Sequence, residues 1–221
     1  MKNKKILVTG SRGFLGSHFV KVLKNNGFKN ILTPSRDVLD LLQIESIDKY
    51  LKDYTPEIVV HIAADIGGIG YSKKHPADQL YKNTFMNIVL QHKCYENNVE
   101  KFVGIGSVCA YPKFTKIPFK EEDIWNGYPE ETNAAYGLSK KIMMEQSKAY
   151  NTQYGFNAIH LLMINLYGPG DDFNLETSHV IPAMIRKMCS AQKNDENNIV
   201  LWGDGSPSRE FLYVTDAANA I

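Results

Sequence analysis

The chain has 221 residues, of which 43% are hydrophobic and 22% are charged. These proportions are typical of a globular protein and exclude a disordered or fibrous chain. Its 25 lysines and arginines nearly balance its 24 acidic residues, so we expect no nucleic-acid partner and no electrostatic attachment to a membrane.

Short apolar runs alternate with segments of helical periodicity along the first 165 residues. Strands are predicted at Ile6–Thr9, Ile31–Leu32, Glu57–Ile62, Phe102–Ile105 and Ala158–Leu162, and helices at Phe14–Leu23, Ile44–Leu51, Pro76–Asn97 and Ala134–Tyr154. Near-continuous apolar strands are typical of parallel sheets that are buried on both faces, with the intervening helices as crossovers. The predicted fold is α/β, a doubly wound parallel sheet of the Rossmann type.

The pattern changes after residue 165. A loop rich in glycine and proline is predicted at Tyr167–Asn174, a helix at Ser178–Ala191, and strands at Ile199–Trp202 and Phe211–Val214. Thr215 or Asp216 is the predicted N-cap of a last helix, which stops after about one turn. We therefore expect a dinucleotide-binding domain over residues 1–165 and an incomplete, smaller α/β substrate domain over residues 166–221.

A glycine-rich turn joins the first predicted strand to the first predicted helix. Its glycines are Gly10, Gly13 and Gly16. Gly10 suits a tight turn, Gly13 lets the backbone approach a pyrophosphate, and Gly16 lets the helix pack on the strand. The free N–H groups of the helix N-terminus favour an anion. The turn therefore predicts a dinucleotide site.

The residues after the second predicted strand indicate which nicotinamide cofactor binds. NAD sites usually carry an acidic residue about 20 residues beyond the glycine turn, where it binds the ribose 2′-hydroxyl. Arg36 stands in this region, and with Arg12 it is suited to hold a 2′-phosphate. We therefore expect NADP; in the alternative, both arginines are solvated and Asp37 binds the ribose of NAD.

Three side chains predict a redox site for a carbonyl or an alcohol. Tyr136 and Lys140 are four positions apart and therefore share one face of a helix. The ammonium is expected to lower the pKa of the phenol toward values useful for proton transfer. Ser107 follows the fourth predicted strand, at the edge of the sheet where open α/β folds bind ligands.

Several longer motifs follow one another in a characteristic order. They are Ala63–Ile69, Gly106–Pro112, Asn165–Pro169, Ser178–Ala183, Trp202–Gly205 and Arg209–Val214. Together with the glycine turn and the Tyr136/Lys140 pair, they resemble the extended short-chain dehydrogenase/reductases of the NAD-dependent epimerase/dehydratase family. Within that family, the motifs are most similar to those of the GDP-L-fucose synthases. The resemblance covers the whole chain.

The resemblance implies two reactions in one pocket. A GDP-linked 4-keto-6-deoxy-mannose would be epimerised at C3 and C5 and then reduced at C4 by NADPH. Cys109 and His179 would be the acid/base pair for epimerisation, since both side chains can change protonation near neutral pH. Tyr136 would protonate O4, Ser107 would hydrogen-bond the same oxygen, and Lys140 would bind the cofactor ribose.

The resemblance also implies binding residues. Trp202 is expected to stack on guanine, while Lys187 and Arg209 are expected to neutralise the diphosphate. Homodimers would form through the helices at Ala77–Tyr95 and Ala135–Tyr150. The expected cofactor contacts are Gly10, Ser11, Arg12, Gly13, Phe14, Leu15, Gly16, Arg36, Asp40, Leu41, Ile105, Gly106, Ser107, Val108, Lys140, Met163, Ile164, Asn165, Leu166 and His179.

Departures from the family pattern leave other reactions open. Nucleotide-sugar 4,6-dehydratases carry an Asp/Glu pair shortly after the serine, whereas this chain has Val108-Cys109-Ala110, so dehydration is not expected. The chain also departs from the family pattern at positions that line the sugar pocket or lie next to it, which are Val108, Ala110, Met163 and the loop Gly170–Phe173. These departures leave another sugar, such as a 4-keto-6-deoxy-heptose, as an alternative. An epimerase without reductase activity and a non-catalytic NADP-binding fragment are further hypotheses.

The remaining cysteines and histidines show no metal-ligand spacing, so no metal is expected. The sequence contains three cysteines, no secretory signal at its N-terminus and no apolar run long enough to span a membrane. We therefore expect a protein of the reducing cytoplasm without membrane attachment.

Overall fold

A five-stranded parallel sheet lies at the centre of the computed structural model, which describes residues 1–221. The strands are β1 (Ile6–Thr9), β2 (Ile31–Leu32), β3 (Ile58–His61), β4 (Lys101–Ser107) and β5 (Ala158–Met163). They lie in the order β2-β1-β3-β4-β5, which confirms the predicted doubly wound fold. The order changes direction between β1 and β3, and such a switch point opens a crevice at the carboxyl ends of the strands.

Helices cover both faces of the sheet. They are α1 (Phe14–Asn25), α2 (Ile44–Tyr54), α3 (Ile69–Lys74), α4 (Pro76–Glu96), α5 (Ala134–Tyr154), α6 (Val180–Lys193) and α7 (Val214–Ala220). Ile6 and Val8 of β1 pack with α1 and α7, whereas Leu7 packs with α2, α4 and α5. Successive strand residues point to opposite faces, so the apolar run of β1 contributes to two cores.

A separate two-stranded parallel sheet follows β5. It pairs β6 (Asn165–Tyr167), a strand that the sequence did not predict, with β7 (Phe211–Tyr213). The predicted strand at Ile199–Trp202 is wrong, because these residues form no ladder. A strand needs a neighbouring edge to bond its backbone, and in the sheet of β6 that neighbour is β7.

The last helix starts earlier than predicted. It begins at Val214, with Tyr213 as the capping residue, so an N-cap at Thr215 or Asp216 is wrong. No side chain caps this helix, but Val214, Ala217 and Ala218 are almost fully buried against the α1 side of the sheet. Packing therefore determines where this helix begins.

No helix combines the length and the apolar character that crossing a bilayer requires.

Candidate functional site

The glycine turn forms a tight cradle between β1 and α1. Gly10 adopts a positive φ of 68°, a conformation that side chains disfavour. A β-carbon on Gly16 would overlap the carbonyl oxygen of Gly10, whereas one on Gly13 would lie 3.3 Å from that oxygen. Ser11 is buried and its hydroxyl has no partner in the protein. The cradle therefore presents a free hydroxyl and unbonded helix N–H groups to a ligand.

A cleft of about 580 Å³ opens beside this turn. It brings residues 10–13 of the glycine turn together with Arg36, Asp40 and Leu41, all of which were expected to contact the cofactor. Arg36 is exposed, and its Nε lies 3.7 Å from Oδ1 of Asp40. Asp37, the alternative ribose ligand, also lines the cleft. The lining residues that were not expected to contact the cofactor are Thr9, Pro34, Ser35, Leu39, Leu42, Ala63, Ala64, Asp65, Lys82 and Met86.

An ion pair between Lys82 and Asp65 lines the cleft and was not predicted from the sequence. Nζ of Lys82 lies 3.3 Å from Oδ2 of Asp65, and the hydroxyl of Tyr71 donates to Oδ1 of the same carboxylate at 2.7 Å. Asn83 exchanges hydrogen bonds with the backbone of Asp65 at 2.8 Å. These partners come from α3 and α4, and α3 was not predicted, so no local sequence signal identified the group.

Ser107 and Cys109 meet in one turn at the carboxyl end of β4. The hydroxyl of Ser107 accepts a hydrogen bond from the backbone N–H of Cys109 at 3.1 Å and caps a short 3-10 helix, Val108–Ala110. Burial raises the pKa of the Cys109 thiol, and the hydrogen bond to Ser107 opposes this shift. The thiol is therefore protonated at neutral pH.

Two further charges act on Cys109. The carboxylate of Glu130 raises the pKa of the thiol, and the guanidinium of Arg209 lowers it. Glu130 accepts hydrogen bonds from Asn133 and from Thr132 in the loop before α5. Glu130 was not predicted as a site residue, because only the folded loop places its carboxylate near the thiol.

Tyr136 and Lys140 are both buried on α5, with exposures of 7% and 1%. Nζ of Lys140 lies 5.4 Å from the centre of the Tyr136 ring. The predicted lowering of the tyrosine pKa is wrong: burial raises the pKa of Tyr136, with a smaller contribution from Cys109. Burial also lowers the pKa of Lys140 to about 8. Desolvation disfavours the charged phenolate and the charged ammonium, and it outweighs the attraction between them that the spacing of the two residues predicted.

The first turn of α5 packs tightly against the turn that contains Cys109. A β-carbon on Gly137 would overlap the carbonyl oxygen of Cys109. This close approach places the helix that carries Tyr136 beside the turn that carries Ser107 and Cys109. Four side chains that were predicted to take part in reduction and epimerisation therefore form one cluster between the end of β4 and α5. They are Ser107, Cys109, Tyr136 and Lys140.

Two further segments that were expected to contact the cofactor, residues 105–108 and 163–166, lie at adjacent strand ends. Ser107 of β4 is in register with Met163 of β5. Ile105 is buried, and Val108 is half-buried. The side chain of Asn165 donates to the carbonyl oxygen of Glu210 at 3.0 Å, which ties the end of this segment to the strand β7.

His179 lies on the loop side of the site. It is the exposed N-cap residue of α6, and its imidazole makes no hydrogen bond. The hydrogen bond from Thr177 lowers the pKa of Asp172, and burial raises the pKa of Asp171; a charge on His179 would lower both values. The loop is held by Gly68, whose N–H donates to the carbonyl of Thr177 at 2.7 Å.

Lys187 and Trp202 contact each other at the outer end of the molecule. Nζ of Lys187 lies 5.4 Å from the centre of the indole ring and donates to the carbonyl oxygen of Val200 at 2.6 Å. The indole is 72% exposed. Arg209 is also exposed. An exposed indole beside a lysine is suited to stack on a nucleotide base while the ammonium binds a phosphate.

No group of three or more His, Cys, Asp or Glu side chains is close enough to hold a metal ion.

Comparison with known proteins identifies the family. The NAD dependent epimerase/dehydratase family matches residues 6–221. GDP-L-fucose synthase 1 of Arabidopsis thaliana is 38% identical over 219 residues, which are 99% of this chain and 68% of the relative. An NADP-bound GDP-L-fucose synthetase from Naegleria fowleri superposes with a TM-score of 0.86 at 30% identity, covering 100% of this chain and 72% of that one.

A second group of structural relatives acts on another sugar. An NADP-bound GDP-mannoheptose C4 reductase from Campylobacter jejuni superposes with a TM-score of 0.89 at 30% identity. The match covers 100% of this chain and 74% of the reductase. From the family match and these relatives, the chain belongs to the NAD dependent epimerase/dehydratase family.

Proposed function

We propose that the chain converts GDP-4-keto-6-deoxy-D-mannose to GDP-L-fucose, by epimerisation at C3 and C5 followed by NADPH-dependent reduction at C4. The observation that carries this proposal is the cluster of Ser107, Cys109, Tyr136 and Lys140 at the carboxyl edge of the sheet. The similarity to GDP-L-fucose synthases over nearly the whole chain supports the choice of sugar.

The glycine turn and its cleft fit NADP. A β-carbon on Gly10 or on Gly16 would overlap the backbone, the hydroxyl of Ser11 lacks a partner, and Arg12 and Arg36 both line the cleft. These groups would hold the pyrophosphate and the 2′-phosphate. When bound, NADPH supplies a hydride to C4 of the sugar.

In the reduction, Tyr136 would donate its phenolic proton to O4 as the hydride reaches C4. Its raised pKa keeps the phenol protonated at neutral pH, as a proton donor must be. Ser107 would donate a hydrogen bond to the same oxygen. Lys140, buried beside the phenol, would stabilise the negative charge that Tyr136 carries after proton transfer.

In the epimerisation, the 4-keto group acidifies the C–H bonds at C3 and C5. One of Cys109 and His179 would remove the proton to give an enolate, and the other would return a proton to the opposite face. Cys109 is half-buried beside Ser107, and His179 is exposed at the start of α6, so the two groups are on different elements. Ser107 and Tyr136 would stabilise the enolate oxygen by hydrogen bonds.

Cys109→Ser should separate the two reactions. Serine is a far weaker acid than cysteine, so entry of solvent deuterium at C3 and C5 should slow by about 100-fold or more. Reduction of an already epimerised keto sugar should slow much less. Proton NMR of the sugar in D2O measures the first rate, and NADPH absorbance measures the second. Cys189→Ser, an exposed position on α6, is the control; equal loss of both activities in C109S would contradict the assignment.

Arg36→Ala should weaken the preference for NADPH over NADH by about tenfold or more, because a charge-assisted bond to a phosphate is lost. The measurement is kcat/KM for both cofactors. Arg186→Ala removes an exposed arginine of α6 that does not line the cleft, and it should leave the ratio unchanged. An unchanged preference in R36A would shift the recognition of the 2′-phosphate to Arg12.

Reduction of a GDP-linked 4-keto-heptose is the second candidate function. The structural match to a GDP-mannoheptose C4 reductase favours it. Purified chain, NADPH and either keto sugar are combined, and NADPH absorbance and product NMR are followed. GDP-L-fucose formation from the mannose-derived sugar supports the first function, and turnover of the heptose alone supports the second. Absence of turnover with both sugars contradicts both.

We also propose a homodimer formed through α4 and α5, in the cytoplasm. Leu80, Tyr81 and Ile142 are exposed on these two helices, which supports such an interface. All three cysteines are unpaired, as is usual in a reducing compartment. Light scattering of the purified chain tests the oligomeric state.

A further inference from the structure

A row that contains three polar side chains crosses the sheet on the side of α4 and α5. Thr9, His61, Gly104 and His160 are paired in register on β1, β3, β4 and β5. Residues in register point to the same face, and Phe102 places this face against α4 and α5. Thr9 and His61 are at most 2% exposed. A buried polar row in an otherwise apolar sheet needs hydrogen-bond partners.

The hydrogen bonds around His61 determine which of its two ring nitrogens carries the hydrogen. Nδ2 of Asn87 donates to the carbonyl oxygen of Ser139 at 3.1 Å, so Oδ1 of Asn87 is the atom that faces Nε2 of His61, also at 3.1 Å. Oδ1 can only accept, so Nε2 of His61 carries the hydrogen. Nδ1 then accepts from the hydroxyl of Thr9 at 2.8 Å.

Nearby groups favour the neutral ring. Burial, together with the charge of Lys140, lowers the pKa of His61 to about 3. Burial and Lys140 likewise lower the pKa of His160, at the other end of the row, to about 4. Lys140 has no acidic side chain within 4.0 Å, so its charge is not neutralised by an ion pair.

The far end of the hydrogen-bond chain reaches the turn of α5 that carries the proposed reductase residues. Ser139 lies between Tyr136 and Lys140, and its hydroxyl donates to the carbonyl oxygen of Tyr136 at 2.7 Å. Asn87 therefore connects this turn of α5 to His61 on β3. The hydrogen bond between Thr9 and His61 extends the connection to β1, the strand that precedes the glycine turn. Positioning errors near 1 Å can slow a reaction by about 100-fold.

We propose that His61, as its Nε2–H tautomer, is a positioning residue that aligns Asn87 and thereby holds Tyr136 and Lys140 in place for proton transfer. The inference rests on the proposed function, because it concerns the geometry of those two residues toward the keto oxygen. His61 itself touches neither substrate nor cofactor in this role.

The tautomer can be measured directly. Protein labelled with 15N-histidine gives long-range 1H–15N correlations that distinguish the two neutral tautomers from the imidazolium, and His61→Gln assigns the signal. At neutral pH we expect His61 with a protonated Nε2 and an unprotonated Nδ1. An Nδ1–H tautomer or an imidazolium would overturn the proposal, and this measurement needs no variant to be active.

A matched pair of variants tests the positioning role. Asn87→Asp keeps the acceptor for His61 but removes the donor to Ser139. We expect kcat for NADPH oxidation to fall by about tenfold or more, with KM for the sugar and Kd for NADPH nearly unchanged. Gln91→Glu is the control, because Gln91 is also buried on α4, one turn later, and accepts from Ser147 instead.

The outcomes separate the two proposals. Normal kcat in N87D, or an equal loss in Q91E, would overturn the positioning role. A wild-type chain that turns over neither keto sugar rejects the proposed reaction, whatever the state of His61. An unexpected protonation state of His61 rejects the positioning role, whichever sugar is turned over.

Discussion

Tyr136→Phe should reduce NADPH oxidation in the presence of the keto sugar by roughly 100- to 10,000-fold, the range expected when a general acid is lost. The phenol is buried, so bulk water cannot readily replace it as proton donor. NADPH binding should persist, because the cofactor cleft is lined by the glycine turn and Arg36, not by Tyr136. Stopped-flow absorbance gives the rate, and fluorescence titration gives the affinity for NADPH.

A second tyrosine provides the control for this prediction. Tyr111 is buried to the same extent as Tyr136, with 7% exposure, and directly follows the Cys109 turn. Tyr111→Phe makes the same chemical change without removing the proposed acid, so its rate should stay within about threefold of wild type. If Y136F retains its activity, the proton donor must be another group.

The pKa values of Tyr136 and Lys140 could not be predicted from the sequence alone. The spacing of Tyr136 and Lys140 correctly predicts that they are neighbours on one helix. It does not reveal that both are buried, and burial raises the pKa of the phenol and lowers the pKa of the ammonium. A resting site with a neutral phenol and a lysine of pKa about 8 suits proton donation better than the phenolate that the spacing alone suggested.

The central sheet was the most predictable part of the fold. β1, β3 and β4 are apolar runs, and α4 and α5 are long periodic segments, so each element has a strong local signal. The short strands β2 and β7 were also predicted, but two other short elements were missed. Helix α3 has six residues and β6 has three, and both depend on contacts with distant segments. The wrong strand at Ile199–Trp202 had local apolar character but no neighbouring edge.

The sequence indicated candidate site residues where they stand within a recognisable motif. The glycine turn and the pair Ser107 and Cys109 are of this kind. Glu130, His61 and Asn87 were not identified, because each acts through a contact between elements far apart in the sequence. His61 stands in an apolar strand without a motif of its own, and only the register with Thr9 reveals the polar row.

Two of the motif glycines, Gly16 and Gly13, should have different roles. A β-carbon on Gly16 would overlap the carbonyl oxygen of Gly10, and that backbone cannot move without shifting β1 or α1. Gly16→Ala should therefore destabilise the fold by about 2–3 kcal/mol, as overpacking of a well-packed interior does. It should also weaken NADPH binding, because the cradle itself is displaced. Thermal unfolding by circular dichroism and NADPH titration measure the two effects.

Gly13→Ala is the matched variant, because it adds the same methyl group three residues earlier in the same turn. Its β-carbon would lie 3.3 Å from the carbonyl oxygen of Gly10, which demands only a small adjustment, and its φ of −77° is accessible to alanine. We therefore expect near-normal stability in G13A but weaker NADPH binding, since the methyl group occupies the space that the pyrophosphate approaches. Equal destabilisation by both alanines would mean that Gly13, too, is required for packing of α1 on the sheet.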